Sequence, residues 1–130
     1  MKKVRIIYES HIFQNDYVNK VNVDEIGYVS EDFGKTTLSF VDTSNDEKVK
    51  TTFVYEEDEV CIIRGNTILK FGLHNKYVCN YQTEYGSIEL ETYLKKYLKL
   101  GNQFVINYEL LMNGESIGKY VVKMSYKEMN

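Results

Sequence analysis

Short runs of alternating apolar and polar residues, each closed by a pair of turn-forming residues, recur along the whole chain. A period of two with frequent turns is the pattern of half-buried β-strands, and it leaves little room for any other fold class. Val4 to Phe13 ends at Asn15-Asp16. Tyr17 to Ser30 reads as a long second strand with a bend or bulge at Gly27, followed by a turn at Glu31-Asp32-Phe33-Gly34. Thr36 to Asp42 runs into the polar stretch Ser44-Asn45-Asp46-Glu47. Lys48 to Tyr55, Val60 to Arg64, Thr67 to His74 and Tyr77 to Thr83 follow, separated by Glu56-Glu57-Asp58-Glu59, Gly65-Asn66 and Asn75-Lys76. The acidic run reads as a solvated turn. Phe104 to Leu111 and Glu115 to Tyr126 flank Asn113-Gly114, the pair that most readily takes the positive φ angles of a two-residue type I′ hairpin.

Composition agrees. There is no proline in 130 residues, where average usage of about 5% would give roughly six. Proline removes a ladder donor, so a chain that is mostly strand has few places to keep it. Twelve tyrosines and six phenylalanines suit a pleated surface. These features predict an all-β chain folded as one domain over residues 1–130, a closed antiparallel barrel of about eight to ten strands by the segments above.

One segment resists. Ser87 to Leu100 has the marks of a helix: Ser87 at the N-cap, acids early, Lys95, Lys96 and Lys99 late, and Gly101 beyond the end. The same residues alternate, with Ile88, Leu90, Thr92 and Leu94 on one face and Glu89, Glu91, Tyr93 and Lys95 on the other. Local signals divide evenly. Neighbouring context favours a strand with a bulge near Lys95-Lys96.

Treating Gly65-Asn66 and Asn75-Lys76 as two-residue loops sets a register. Val60 then faces Phe71, Ile62 faces Leu69, Arg64 faces Thr67, and Leu73 faces Val78 on a core face; Cys61, His74, Cys79 and Tyr81 take the mixed opposite face. Arg64 continues an apolar face at its end. Its first reading is a barrel plug whose stem packs and whose head finds carbonyls or a carboxylate; its second is a clamp for a ligand anion.

The runs Val60-Cys61-Ile62-Ile63-Arg64-Gly65, Lys70-Phe71 and Tyr81-Gln82-Thr83-Glu84-Tyr85-Gly86-Ser87-Ile88-Glu89-Leu90, with Asn107-Tyr108-Glu109-Leu110 and Asn113-Gly114, resemble the uncharacterised bacterial YwiB-like family, a group of domains of unknown function. The resemblance implies a calycin, or lipocalin-like, barrel and a strand at Ser87 to Leu100. It brings no catalytic residues. Many lipocalins pair a barrel-floor arginine with a tryptophan, and this chain has no tryptophan.

Candidate chemistry is sparse. The register puts Cys61 and Cys79 two strands apart, roughly 10 Å or more and beyond disulfide reach, so both are expected as free thiols. Cys61, His74 and Cys79 lack zinc-ligand spacing and a fourth ligand. Nothing places a nucleophile beside a base or pairs two carboxylates, and no glycine loop cradles phosphate. The expectation is a non-enzymatic protein with no metal and no cofactor. A net charge of −3 argues against nucleic acid, although Lys95, Lys96 and Lys99 beside Tyr93 and Tyr97 form the one cluster a single-stranded RNA would use. No apolar run reaches membrane length, so no membrane partner and a cytoplasmic location are expected. The leading function is binding of a small, partly apolar or anionic ligand inside the barrel, with Arg64, Tyr81, Thr83 and Tyr85 as candidate ligand-binding residues. The alternative is a structural or interaction domain whose barrel is filled by its own side chains, with a homodimer as one form.

Overall fold

The computed structural model describes residues 1–14, 17–43 and 48–129. The turns expected at Asn15-Asp16 and Ser44 to Glu47 lie outside the described residues. Among those described, ten strands form one antiparallel sheet: β1 (Lys2–Gln14), β2 (Tyr17–Asp32), β3 (Lys35–Asp42), β4 (Val49–Tyr55), β5 (Glu59–Arg64), β6 (Thr67–Gly72), β7 (Tyr77–Thr83), β8 (Gly86–Leu100), β9 (Gln103–Met112) and β10 (Glu115–Glu128). The order is β6-β5-β4-β3-β2-β1-β10-β9-β8-β7. Each strand pairs with its chain neighbour except at β6–β7, and β1 joins the two halves by pairing with β10. The sheet curls until β6 and β7 meet, giving a nearly closed barrel. No described helix is long and apolar enough to cross a membrane.

Alternation decides which side chains fill the middle. Val4 and Ile6 of β1, Leu38 of β3, Phe71 of β6, Phe104 and Ile106 of β9 and Val122 of β10 are fully buried, and Val60, Phe53 and Leu90 lie among them. Burying each such side chain contributes about 1.5–3 kcal/mol. Turn chemistry holds the register. Asn113 (φ 53) and Gly114 (φ 81) take the positive angles expected of a type I′ turn, as do Phe33 (φ 48) and Gly34 (φ 78). Ser87 to Leu100 is strand throughout; the register against β9 shifts between Leu94 and Lys96, where the bulge was expected. Long-range pairing there overrides the helix signals.

Gly27 is a close approach rather than a bulge. A Cβ there would stand 2.2 Å from the Ser39 carbonyl oxygen and 2.6 Å from Ile6 Cδ1. Below Gly27, β2 leaves β3 and pairs with β1 alone: the β2–β3 ladder runs only from Tyr28↔Ser39 to Asp32↔Lys35.

Two register expectations fail at the seam. β5 and β6 pair as expected, with Val60 opposite Phe71, Ile62 opposite Leu69 and Arg64 opposite Thr67. Asn75-Lys76 is not a two-residue hairpin, however, and Leu73 does not pair with Val78. Strand β6 stops at Gly72, where a Cβ would meet the Tyr77 ring at 3.0 Å and the Asn75 carbonyl at 3.1 Å. The Leu73 N–H donates to the Asp58 carbonyl (3.0 Å), drawing the chain toward the β4–β5 turn. This irregular connection slips the alternation by one residue. Val78, expected in the core, is 65% exposed, and Cys79, expected on the opposite face, is buried.

Side chains close the seam instead of a ladder. The Lys70 N–H reaches Cys79 Sγ at 3.4 Å, and the Thr92 hydroxyl donates to the Lys70 carbonyl at 2.6 Å. Tyr77 donates its phenol to the Glu59 carboxylate, which also pairs with Lys70 at 3.6 Å. Glu59, read from sequence as part of a solvated turn, is therefore half inside this stitching.

Candidate functional site

The two ends of the barrel are filled differently. At one end Tyr55 stacks on Phe104 with ring centroids 4.0 Å apart, its hydroxyl toward Met124 Sδ, and Lys99 lies over the Phe104 ring. The other end holds a cavity of about 310 Å3. Tyr8, Phe40, Phe53, Tyr108 and Tyr81 supply aromatic walls; Asp42, Thr51, Arg64 and Thr67 supply the polar groups. Alternation puts them there, because Phe40 and Asp42 follow Leu38 at steps of two on β3, and Thr51 precedes Phe53 by the same step on β4.

Arg64 and Asp42 form the charged element of the cavity. Arg64 Nη1 donates to Asp42 Oδ2 at 2.5 Å; the Asp42 side chain is 3% exposed and that of Arg64 40%. A buried carboxylate needs such a partner, since taking an unpaired charge out of water costs several kcal/mol. Thr51 bonds locally to the Val49 carbonyl. The Tyr8 ring lies against Phe53 (5.6 Å) and Phe40 (6.2 Å). Burial pushes its phenol above the usual range, the Asp42 charge pushes the same way, and a hydrogen bond with Ser10 opposes both. Tyr108, stacked on Tyr120 at 4.6 Å and tilted against Phe71 at 4.3 Å, is raised further, chiefly by burial. The phenols hold their protons and serve as neutral donors and aromatic surface.

The four residues expected to bind ligand separate into two pairs. Arg64 and Tyr81 line the cavity from opposite sides of the seam. Thr83 and Tyr85 do not. The Thr83 hydroxyl donates to the Gly86 carbonyl and accepts from the Tyr85 N–H, closing the β7–β8 turn, and the Tyr85 side chain stands 94% exposed. Gly86, at φ 118, supplies the positive angle that the turn needs.

Other expected groupings are drawn apart. Cys61 and Cys79 are both free thiols, the first half-buried with its thiol pushed up by burial, the second inside the seam. His74 turns toward Asp58 at 3.9 Å rather than to either cysteine. Among the described residues no group of three or more His, Cys, Asp or Glu converges to hold a metal. Lys95 pairs with Glu109 at 3.2 Å while Lys99 lies over Phe104, so the lysines beside Tyr93 and Tyr97 do not share a face.

Residues 6–124 match the family model DUF1934, described as a domain of unknown function. The chain belongs to the DUF1934 family. Among solved structures, that of ywiB protein from Bacillus subtilis superposes with a TM-score of 0.82 at 18% identity, covering 99% of this chain and 93% of that one. The ten-stranded barrel is thus shared with a solved fold. The S-type phycobiliprotein lyase CPES from Guillardia theta aligns over 100% of this chain and 88% of its own, with 9% identity and a TM-score of 0.41, too loose a likeness to carry any conclusion. No curated protein matches the chain.

In this DUF1934 domain, sequence reasoning missed Asp42, Tyr8 and Tyr108. Asp42 had the same signal as Arg64: a charged residue continuing the apolar face Leu38, Phe40 at a strand end. An acid and a base each ending an apolar face on nearby strands is a pattern for a paired site. Tyr8 and Tyr108 carried no such mark among twelve tyrosines.

Proposed function

We propose that this domain is a non-enzymatic binding module that takes a small, partly apolar ligand into the cavity at the Arg64 end. The single observation that carries the reading is the cavity itself: about 310 Å3 of space at the barrel's Arg64 end, walled by aromatic rings and bearing one charged pair. Ligand sites are commonly concave, mostly apolar and fitted with few polar groups, with volumes starting at about 300 Å3. Arg64 donates from one guanidinium nitrogen to Asp42, and a fork with five N–H donors has others to offer the acceptor oxygens of a ligand. The fitting ligand has an aromatic or short aliphatic body and a head with acceptor oxygens, a carbonyl or carboxylate. Tyr81, 40% exposed beside the seam, closes over the body. Thr83 and Tyr85 take no part.

Native mass spectrometry of freshly isolated protein, paired with thermal shifts against short fatty acids and aryl carboxylates, tests the reading. Wild type is expected to carry or accept one small molecule per cavity, and Leu69→Trp, which fills the cavity from β6, to lose it while remaining folded. Finding neither a bound mass nor any thermal shift in wild type rejects it.

A further inference from the structure

We propose that the open edge of β2, from Val18 to Ile26, pairs with the same edge of a second copy of this chain, antiparallel about a two-fold axis at Asn22. The proposal is independent of the cavity.

The edge exists because β3 leaves β2 at Tyr28. On its other side β2 pairs with β1 as far as Gln14↔Tyr17. Among the described residues no strand pairs with the free side of Val18 to Ile26, and the Thr43–Glu25 side-chain hydrogen bond (2.8 Å) reaches across the gap. The type I′ turn at Phe33-Gly34 makes Asp32↔Lys35 a hydrogen-bonded pair, so alternate residues back along β2 turn their N–H and C=O groups away from β1. These are Val18, Lys20, Asn22, Asp24 and Ile26. An edge of that length is a template for another strand unless something blocks it.

Its sequence invites one partner. Centring the pairing on Asn22 puts Lys20 opposite Asp24 twice and Val18 opposite Ile26 twice. Registers displaced by two residues either way lose both matches, and those displaced by four set Lys20 against Lys20 or Asp24 against Asp24. Val18 is 61% exposed and Ile26 52%, so their contact removes apolar surface from water. Lys20 already pairs with Glu9 (3.3 Å) and Asp24 with Arg5 (2.6 Å) within one copy. Pairing joins these into one alternating network, Glu9–Lys20 of one copy against Asp24–Arg5 of the other. Protective edges usually carry charges that repel their own kind; this edge is complementary to itself, the requirement for a two-fold interface.

Sedimentation of wild type and two single charge reversals tests the proposal. Wild type is expected as a concentration-dependent dimer. Lys20→Glu faces Asp24 twice and Asp24→Lys faces Lys20 twice, so each is expected to be monomeric, with circular dichroism confirming the fold. Mixed in equal amounts, the two variants restore both opposite-charge pairs and are expected to form a heterodimer. Amide hydrogen exchange in wild type adds a measure that needs no variant: protection at residues 18, 20, 22, 24 and 26 should rise with protein concentration. A monomeric wild type, reversals that stay dimeric, or a mixture that stays monomeric overturns the proposal.

Discussion

The barrel's two ends are built from the same materials and reach opposite results. Both are tyrosine-rich and each has a charged side chain among its rings. At one, the rings close the barrel interior and leave only a hollow of about 370 Å3 outside them, lined by Gly34, Glu56, Glu57, Tyr97 and Lys99. At the other, a cavity of about 310 Å3 runs in among the aromatic rings. At the packed end Tyr55 touches Phe104 at 4.0 Å, Phe53 at 6.0 Å and Tyr97 at 6.1 Å, and the Tyr97 phenol donates across the end to the Glu56 carbonyl. Its charge, Lys99, lies over a ring. At the open end the charges lie among the wall residues as a pair, and the short side chains Thr51 and Thr67 stand where a larger residue would fill the space. Side-chain volume and the placement of charge, rather than strand geometry, decide at which end a hollow reaches in among the aromatic rings.

Alkaline titration gives the largest effect that sharpens this contrast. Burial raises the Tyr8, Tyr55 and Tyr108 phenols, and raises Tyr97 and Tyr126 to about 12, with Glu31 adding to Tyr126. The unfolded chain releases these protons near pH 10 and the folded barrel holds them. Stability is therefore fully present below about pH 10 and falls as pH rises from there through the folded values. Because phenols at both ends are involved, the barrel should lose its structure in one cooperative step in which tyrosinate absorbance and circular dichroism change together. Tyrosinate forming well before the sheet melts would show that the packed end is wetter than its geometry implies.

Tyr55→Ala comes next. It removes a fully buried ring from the packed end and is expected to cost about 3–5 kcal/mol, read as a fall in the denaturation midpoint. Asp42→Ala at the open end is expected to cost less, about 1–3 kcal/mol, although it strands a charge. Arg64 is 40% exposed, so water solvates what Asp42 leaves behind. Should Asp42→Ala prove the more damaging, the pair would be a structural plug first and a ligand contact second.

What the sequence disclosed follows the same division. Alternation and turn pairs disclosed β3 to β5 and the Val60-to-Phe71 register, because each depends on local backbone chemistry or an uninterrupted period of two. At Ser87 to Leu100 local signals were divided, and the strand with its bulge near Lys95-Lys96 came from neighbouring context. The seam was hidden. It depends on Leu73 preferring the Asp58 carbonyl to a hairpin, a contact between segments whose meeting no local pattern announces. Since β7 inherits its phase from that connection, Val78 and Cys79 exchanged faces, and Tyr81 moved with Cys79 to the cavity. Arg64 was legible as an odd residue on an apolar face; its partner Asp42 was equally odd, but only the stagger of β3 against β5 brings the two within 2.5 Å. Thr83 and Tyr85 drew notice for hydroxyls, yet the turn consumes that of Thr83 and leaves Tyr85 in solvent.

Tyr81→Ala carries the smallest stability effect and the sharpest functional one. Its ring is 40% exposed and lines the cavity together with Thr67 and Leu69 of the facing strand, so the cost to folding is expected within about 0.5 kcal/mol, the usual range for a surface change. If the cavity is a binding site, the same change should weaken retention of the small molecule at least several-fold while leaving the melting temperature of the empty barrel nearly unmoved. Native mass spectrometry and ligand-free melting, run on the same preparation, separate the two. A variant that melts much earlier would mean that Tyr81 holds the seam shut, and that the open end, like the closed one, is held by its own aromatic side chains.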